Sequence, residues 1–251
     1  NTSIDVSADP ATAGGAVTMT VSAYDVYNNA LVIGGDTVVI TVAGSNSATP
    51  AVTDVGDGTY TASYTPTVSG TDNITATINT FGVGSDADGT SDGTYVLVVN
   101  PGVAATFTLS APGDITAGGE ATYVVTREDI NSNLVTTGAQ IVYLYSNGSG
   151  LNEEFDDVLD GQGGTAITSI TIPDTQSSVT FYYYDDFATA GVTITASDAT
   201  PTADGAVGIT DASDSLGVNP AGADNTNTSI DVSADPATAG GAVTMTVSAY
   251  D

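Results

Sequence analysis

Residues 84–93 (GSDADGTSDG) place Asp86, Asp88 and Asp92 close together among glycines and small polar residues. Carboxylates at alternating positions followed by glycine resemble the opening of a calcium loop, because hard cations take oxygen ligands from carboxylates and carbonyls. Counting from Asp86, Leu97 stands where an EF-hand carries its bidentate glutamate, so an EF-hand is rejected and only a looser loop site is allowed. The plainer reading is a solvated turn, with Asp and Gly selected for local backbone hydrogen bonding. A second acidic run contains Glu153, Glu154, Asp156, Asp157 and Asp160. Like charges this close repel unless a cation or water screens them. A third group, Asp204, Asp211 and Asp214, precedes the exit to the next repeat, where cations would stiffen a linker. Ca2+ is the one cofactor these side chains invite.

Other chemistries are largely excluded by composition. Thirty acidic residues face a single basic one, Arg127, for a formal charge of −29, and there is no His, Cys or Trp. A Ser-His-Asp triad, a Schiff-base lysine, a phosphate loop ending in lysine, a disulfide framework and a thiolate metal site are all impossible. Glycoside hydrolysis needs two acids at a set separation in an apolar cleft, and nothing places Asp157 or Asp186 in one. The chain is therefore read as a non-enzyme. Residues 181–184 (FYYY) offer a sugar-stacking platform, although strand alternation sends half of them inward. The negative field repels nucleic acid and anionic membrane surfaces, and no 18-residue apolar stretch suggests membrane insertion. Asn73 and Asn147 open glycosylation sequons, as do Asn1 and Asn227.

The elements that must position these residues are strands. Residues 16–23 (AVTMTVSA) alternate apolar and small polar side chains, and 74–78, 123–126, 169–172, 179–183 and 192–195 do the same. Turn pairs such as Asp57-Gly58 and Asn147-Gly148 separate them. No window shows helical periodicity, so the expected fold is all-β, built of antiparallel sandwiches.

Above the strands lies a repeat. Residues 1–25 recur letter for letter at 227–251, a period of 226 residues. A weaker copy inside the period aligns Thr12-Ala13-Gly14-Gly15 with Thr116-Ala117-Gly118-Gly119, and Asp25 and Asn29 with Asp129 and Asn133. The equivalence of Asp25 and Asp129 predicts an Asx-type turn shared by both domains. Two domains per period are expected, 1–100 and 101–219, with Asn100-Pro101 and Asn219-Pro220 as boundaries. Residues 220–251 are then a linker and the first two strands of another copy. Such a fragment cannot bury its apolar face alone. Asn227, Ile230, Val232, Val243, Met245 and Val247 are the residues expected to mediate assembly, through chain continuation or strand donation to a neighbouring molecule.

Residues 52–60 (VTDVGDGTY), followed by 61–66 (TASYTP) and Ser69-Gly70, resemble the GDGTY…YTP…G signature of immunoglobulin-like repeats, found in filamin-type repeats and in invasin- and intimin-type bacterial adhesins. Residues 21–32 and 34–41 fit the same pattern. The second domain matches only through its N-terminal half, departing at the acidic insertion 152–160 and at 181–184. The resemblance implies tandem immunoglobulin-like sandwiches, arranged as beads on a string, in a giant extracellular surface or filament protein. It implies a structural repeat of a filament, stalk or surface layer, calcium-stiffened and partnered by further copies of itself. The alternative is an adhesin or carbohydrate-binding module acting on glycans or a host or neighbouring cell surface through the second domain's acidic and aromatic loops. Tyr60 and Tyr64 read as core residues beside a tight turn rather than as a site.

Overall fold

The computed structural model describes residues 2–86, 93–161, 165–224, 226 and 228–249, without the side chains at 85 and 86. Two compact units emerge, Asn1–Thr106 with Arg127–Val135, and Phe107–Thr126 with Thr136–Asp251. All the regular structure among the described residues is strand.

The first unit contains β1 (Ser3–Val6), β2 (Ala11–Thr12), β3 (Val17–Ser22), β4 (Val38–Gly44), β5 (Thr53–Asp54), β6 (Thr59–Tyr64), β7 (Gly70–Ile78), β8 (Phe81–Gly82), β9 (Ser85–Asp86) and β10 (Thr94–Asn100). One sheet runs β5-β6-β3-β1-β9 and the other β2-β10-β7-β4, with β8 beside β7. Alternation along β3, β4, β7 and β10 buries every second side chain. Ile4, Met19 and Val21 from one sheet and Ile40, Ile74 and Leu97 from the other are fully enclosed in a single core. The opening strand is shared between sheets (β1 in one, β2 in the other), and the order matches the ABED and CFG sheets of an immunoglobulin sandwich.

The GDGTY turn belongs to this frame. Tyr60 and Tyr64 are buried, the Tyr60 hydroxyl donating to Asp36 Oδ2 at 3.2 Å and the Tyr64 hydroxyl to Asp72 Oδ2 at 2.9 Å. The positive φ angles of this turn fall on Gly56 and Gly58, both at 88°. Asp57 instead caps the turn by accepting from the Thr59 N–H and hydroxyl. A Cβ on Gly58 would collide with the Leu31 carbonyl oxygen, so only glycine fits.

The second sandwich is built from β11 (Thr106–Leu109), β12 (Ile115–Thr116), β13 (Gly119–Glu128), β14 (Gln140–Ser146), β15 (Glu154–Asp156), β16 (Ser169–Ile172), β17 (Ser178–Asp185), β18 (Thr189–Ser197) and β19 (Ala212–Asn219), with Thr106 and the last two residues of β13 falling in the first unit. Its sheets run β11-β13-β17-β15 and β12-β19-β18-β14-β16, the same frame with β15 and β16 at the margins. Phe181 stacks on Tyr123 at 5.4 Å between ring centroids, and Phe155 packs edge-on against Phe181 at 5.9 Å. The Tyr123 hydroxyl reaches across to Asp214 Oδ2 on β19 at 3.0 Å, tying the sheets together. Each sandwich is thus immunoglobulin-like, and β10 and β19 end at Asn100 and Asn219, immediately before a proline.

Two further strands, β20 (Ser229–Val232) and β21 (Met245–Ser248), form a separate two-stranded sheet.

Candidate functional site

Strand register gathers the acidic insertion into a cluster. Glu120 on β13 lies opposite Tyr184 on β17, which lies opposite Glu154 on β15. One step along, Thr122, Tyr182 and Asp156 form the next row on the same face. Tyr123, Phe181, Tyr183 and Phe155 occupy the core face. The acidic rows therefore project from the outer side of the sheet, where Asp160, beyond β15, joins them. One carboxylate oxygen from each of Glu120, Asp156 and Asp160 lies within 4.8 Å of the others. Asp156 is only 2% exposed, and neither of its oxygens has a hydrogen-bond partner. Burial, and then the charges of Glu154, Asp160, Glu120 and Asp157, push its carboxyl above the ordinary value.

Of the residues singled out in this run, Asp156 and Asp160 come together with Glu120, Glu154 shares the face of β15 that carries Asp156, and Glu153 and Asp157 lie outside the group. Glu120 carried no signal in the sequence, because only the pairing of β13, β17 and β15 brings it to the insertion. In the third group, Asp204 and Asp211 meet Asp198 with oxygens within 4.8 Å, while Asp214 is engaged by Tyr123. Asp198 and Asp211 also accept backbone N–H groups from Ile209 and Gly205, and all three are partly open to solvent. Asp88 and Asp92 lie outside the described residues; the backbone of Asp86 pairs with Ile4 in a parallel bridge between β9 and β1.

The aromatic run does not form a sugar-stacking platform. Phe181, Tyr183 and Tyr184 are buried and Tyr182 is half-buried, because 181–184 lies inside β17 rather than in a loop. Asn73 on β7 and Asn147 after β14 are both exposed, as modification would require. Asn147 is engaged locally, its side-chain oxygen accepting the Thr193 N–H at 2.7 Å.

The second feature is the repeated sequence in two environments. In the first unit β1 pairs with β3 through Ser3↔Ser22, Ile4↔Val21, Asp5↔Thr20 and Val6↔Met19. β20 and β21 repeat that register residue for residue, from Ser229↔Ser248 to Val232↔Met245. Ile4, Met19 and Val21 are 0% exposed; their copies Ile230, Met245 and Val247 are 67%, 68% and 65% exposed. Val232 and Val243 are exposed as well, and Asn227 lies outside the described residues. The local pairing forms without the core that normally covers it.

No protein-family model and no curated protein matches the chain. Solved structures similar to it include the Escherichia coli adhesin FdeC, at 17% identity and a TM-score of 0.49 over 92% of this chain and 67% of that one. Invasin, a bacterial integrin-binding protein, aligns at 19% identity and a TM-score of 0.46 over 92% of this chain and 42% of its own. A β-glucuronidase of glycoside hydrolase family 2 aligns at 14% identity and 0.39, with 21% of its length covered.

Proposed function

We propose that the chain is one period of a tandem array of immunoglobulin-like sandwiches, serving as a structural repeat of an extracellular stalk, filament or surface layer. The observation that carries this reading is the exact recurrence of residues 1–25 at 227–251, with β20 and β21 repeating the register of β1 and β3 residue for residue. Each large apolar side chain is worth roughly 1.5–3 kcal/mol on full burial, so an uncovered Ile, Met and three Val strongly favour docking. Their natural cover is what encloses Ile4 and Met19, namely strands equivalent to β4, β7 and β10. The occupant of the hairpin's apolar face is therefore another copy of residues 26–100, in the same chain or in a neighbouring one.

Composition agrees with an exposed setting. A single basic residue leaves trypsin-like proteases almost no cleavage site, and dispersed carboxylates keep a long assembly solvated. Adhesion to glycans or a cell surface is the alternative, but it would have to act through side chains other than the 181–184 aromatics, which are largely interior. Strands of this length make each sandwich about 30 Å long, so a period should advance an assembly by about 70–80 Å. Electron micrographs of the native material test this: an axial repeat of that size is expected, and isolated particles without periodicity would contradict it.

A further inference from the structure

The outer face of the β11-β13-β17-β15 sheet holds a carboxylate group with no base among its described members. We propose that Glu120, Asp156 and Asp160, with Glu154 beside them, bind a divalent cation, and that Ca2+ is the ion their all-oxygen chemistry suits. Oxygens held at about 2.3–2.6 Å around one Ca2+ are at most about 5 Å apart. The 4.8 Å grouping of the three carboxylates meets that limit. Asp156 supplies an independent observation. It is 98% enclosed, is directed into the group and has both oxygens unpartnered, and Glu120 and Glu154 each present one buried oxygen in the same condition. Buried carboxylates need a hydrogen bond, an opposite charge or a metal.

The opposite charge does not come from the chain's one basic side chain. Alternation along β13 places Arg127 on the face opposite Glu120, where its Nε donates to the Val135 carbonyl. One cation would engage Glu120, Asp156 and Asp160 together and tie the chain beyond β15 to β13. Ca2+ tolerates irregular coordination and completes it with water or carbonyls, whereas Mg2+ demands near-ideal octahedral geometry that ligands from two strands and a loop do not supply. The role is structural, fastening the acidic insertion by which the second sandwich departs from the first.

The test uses the whole chain stripped with chelator. At about 1 mM Ca2+, roughly tenfold over a dissociation constant of ~10⁻⁴ M typical of extracellular modules, the melting temperature of the second unit should rise by about 5 °C. Terbium should also bind, and tyrosine excitation should sensitise its emission, because Tyr184 and Tyr182 lie in the same rows as the carboxylates. Ca2+ should displace that emission, and Tyr184→Phe should weaken it. Asp156→Asn and Glu120→Gln should abolish both signals. If Asp156→Asn fails to fold, Asp160→Asn, on an exposed position, carries the same expectation. No thermal shift and no sensitised emission, or emission unchanged in Glu120→Gln and Asp160→Asn, would overturn the proposal.

Discussion

Asp25 and Asp129 show how one side chain organises a loop. Asp25 Oδ1 accepts the N–H groups of Tyr27 and Asn29, and Asn29 Nδ2 donates to Oδ2. Asp129 repeats the arrangement with Asn131 and Asn133 and adds the Gly102 N–H at 2.7 Å. Burial pushes the Asp129 carboxyl up, but the Asn133 side chain and the N–H groups of Gly102, Asn133 and Asn131 outweigh it, leaving the value lowered. A lowered folded value means stability fully present above the unfolded carboxylate range and lost as pH falls through the folded value. Asp129→Ala should therefore destabilise by about 2–4 kcal/mol at neutral pH, with the deficit shrinking towards about pH 2. Denaturant melts of variant and parent at both pH values check this; a deficit that does not change with pH would contradict it. This turn was legible in the sequence because Asp and Asn recur at the same local spacing. Glu120 was not legible, because its place beside Asp156 and Asp160 depends on strand pairing across the chain and no local pattern encodes it.

At the scale of elements, the alternating windows located their strands closely, since 169–172 coincides with β16 and 74–78, 123–126, 179–183 and 192–195 lie inside β7, β13, β17 and β18. What alternation left open was which face of β17 meets the core. Four consecutive aromatics satisfy either phase, and the pairing with β13 and β15 decides it. Phe181 lands between Tyr123 and Phe155, with Tyr183 against Phe155 at 5.3 Å. Phe181→Ala should cost about 3–5 kcal/mol of second-unit stability, as truncation of a core aromatic does. Thermal unfolding followed by near-ultraviolet circular dichroism reads this directly; an unchanged melt would mean that the ring is not core. The short strand β15 carries no alternation signal, being only three residues long and held by its long-range pairing with β17.

At the scale of the molecule, the repeat governs the account. Identical residues take identical pairing in β1–β3 and in β20–β21, so local sequence suffices for the hairpin while the enclosing core must come from elsewhere. The 226-residue period and the weaker copy inside it are written in the sequence; the exposed state of residues 230, 245 and 247 required the structure. The chain's two methionines, Met19 and Met245, occupy equivalent positions in the two copies and report on this difference. Brief peroxide treatment followed by intact mass measurement should add one oxygen quickly to this chain, at Met245, with Met19 protected. Extending the chain by a further copy of residues 26–100 should remove that fast event, leaving both methionines slow. If the extended chain still gained one oxygen as fast, residues 228–249 would not be the opening of another sandwich, and the tandem-array account would be contradicted.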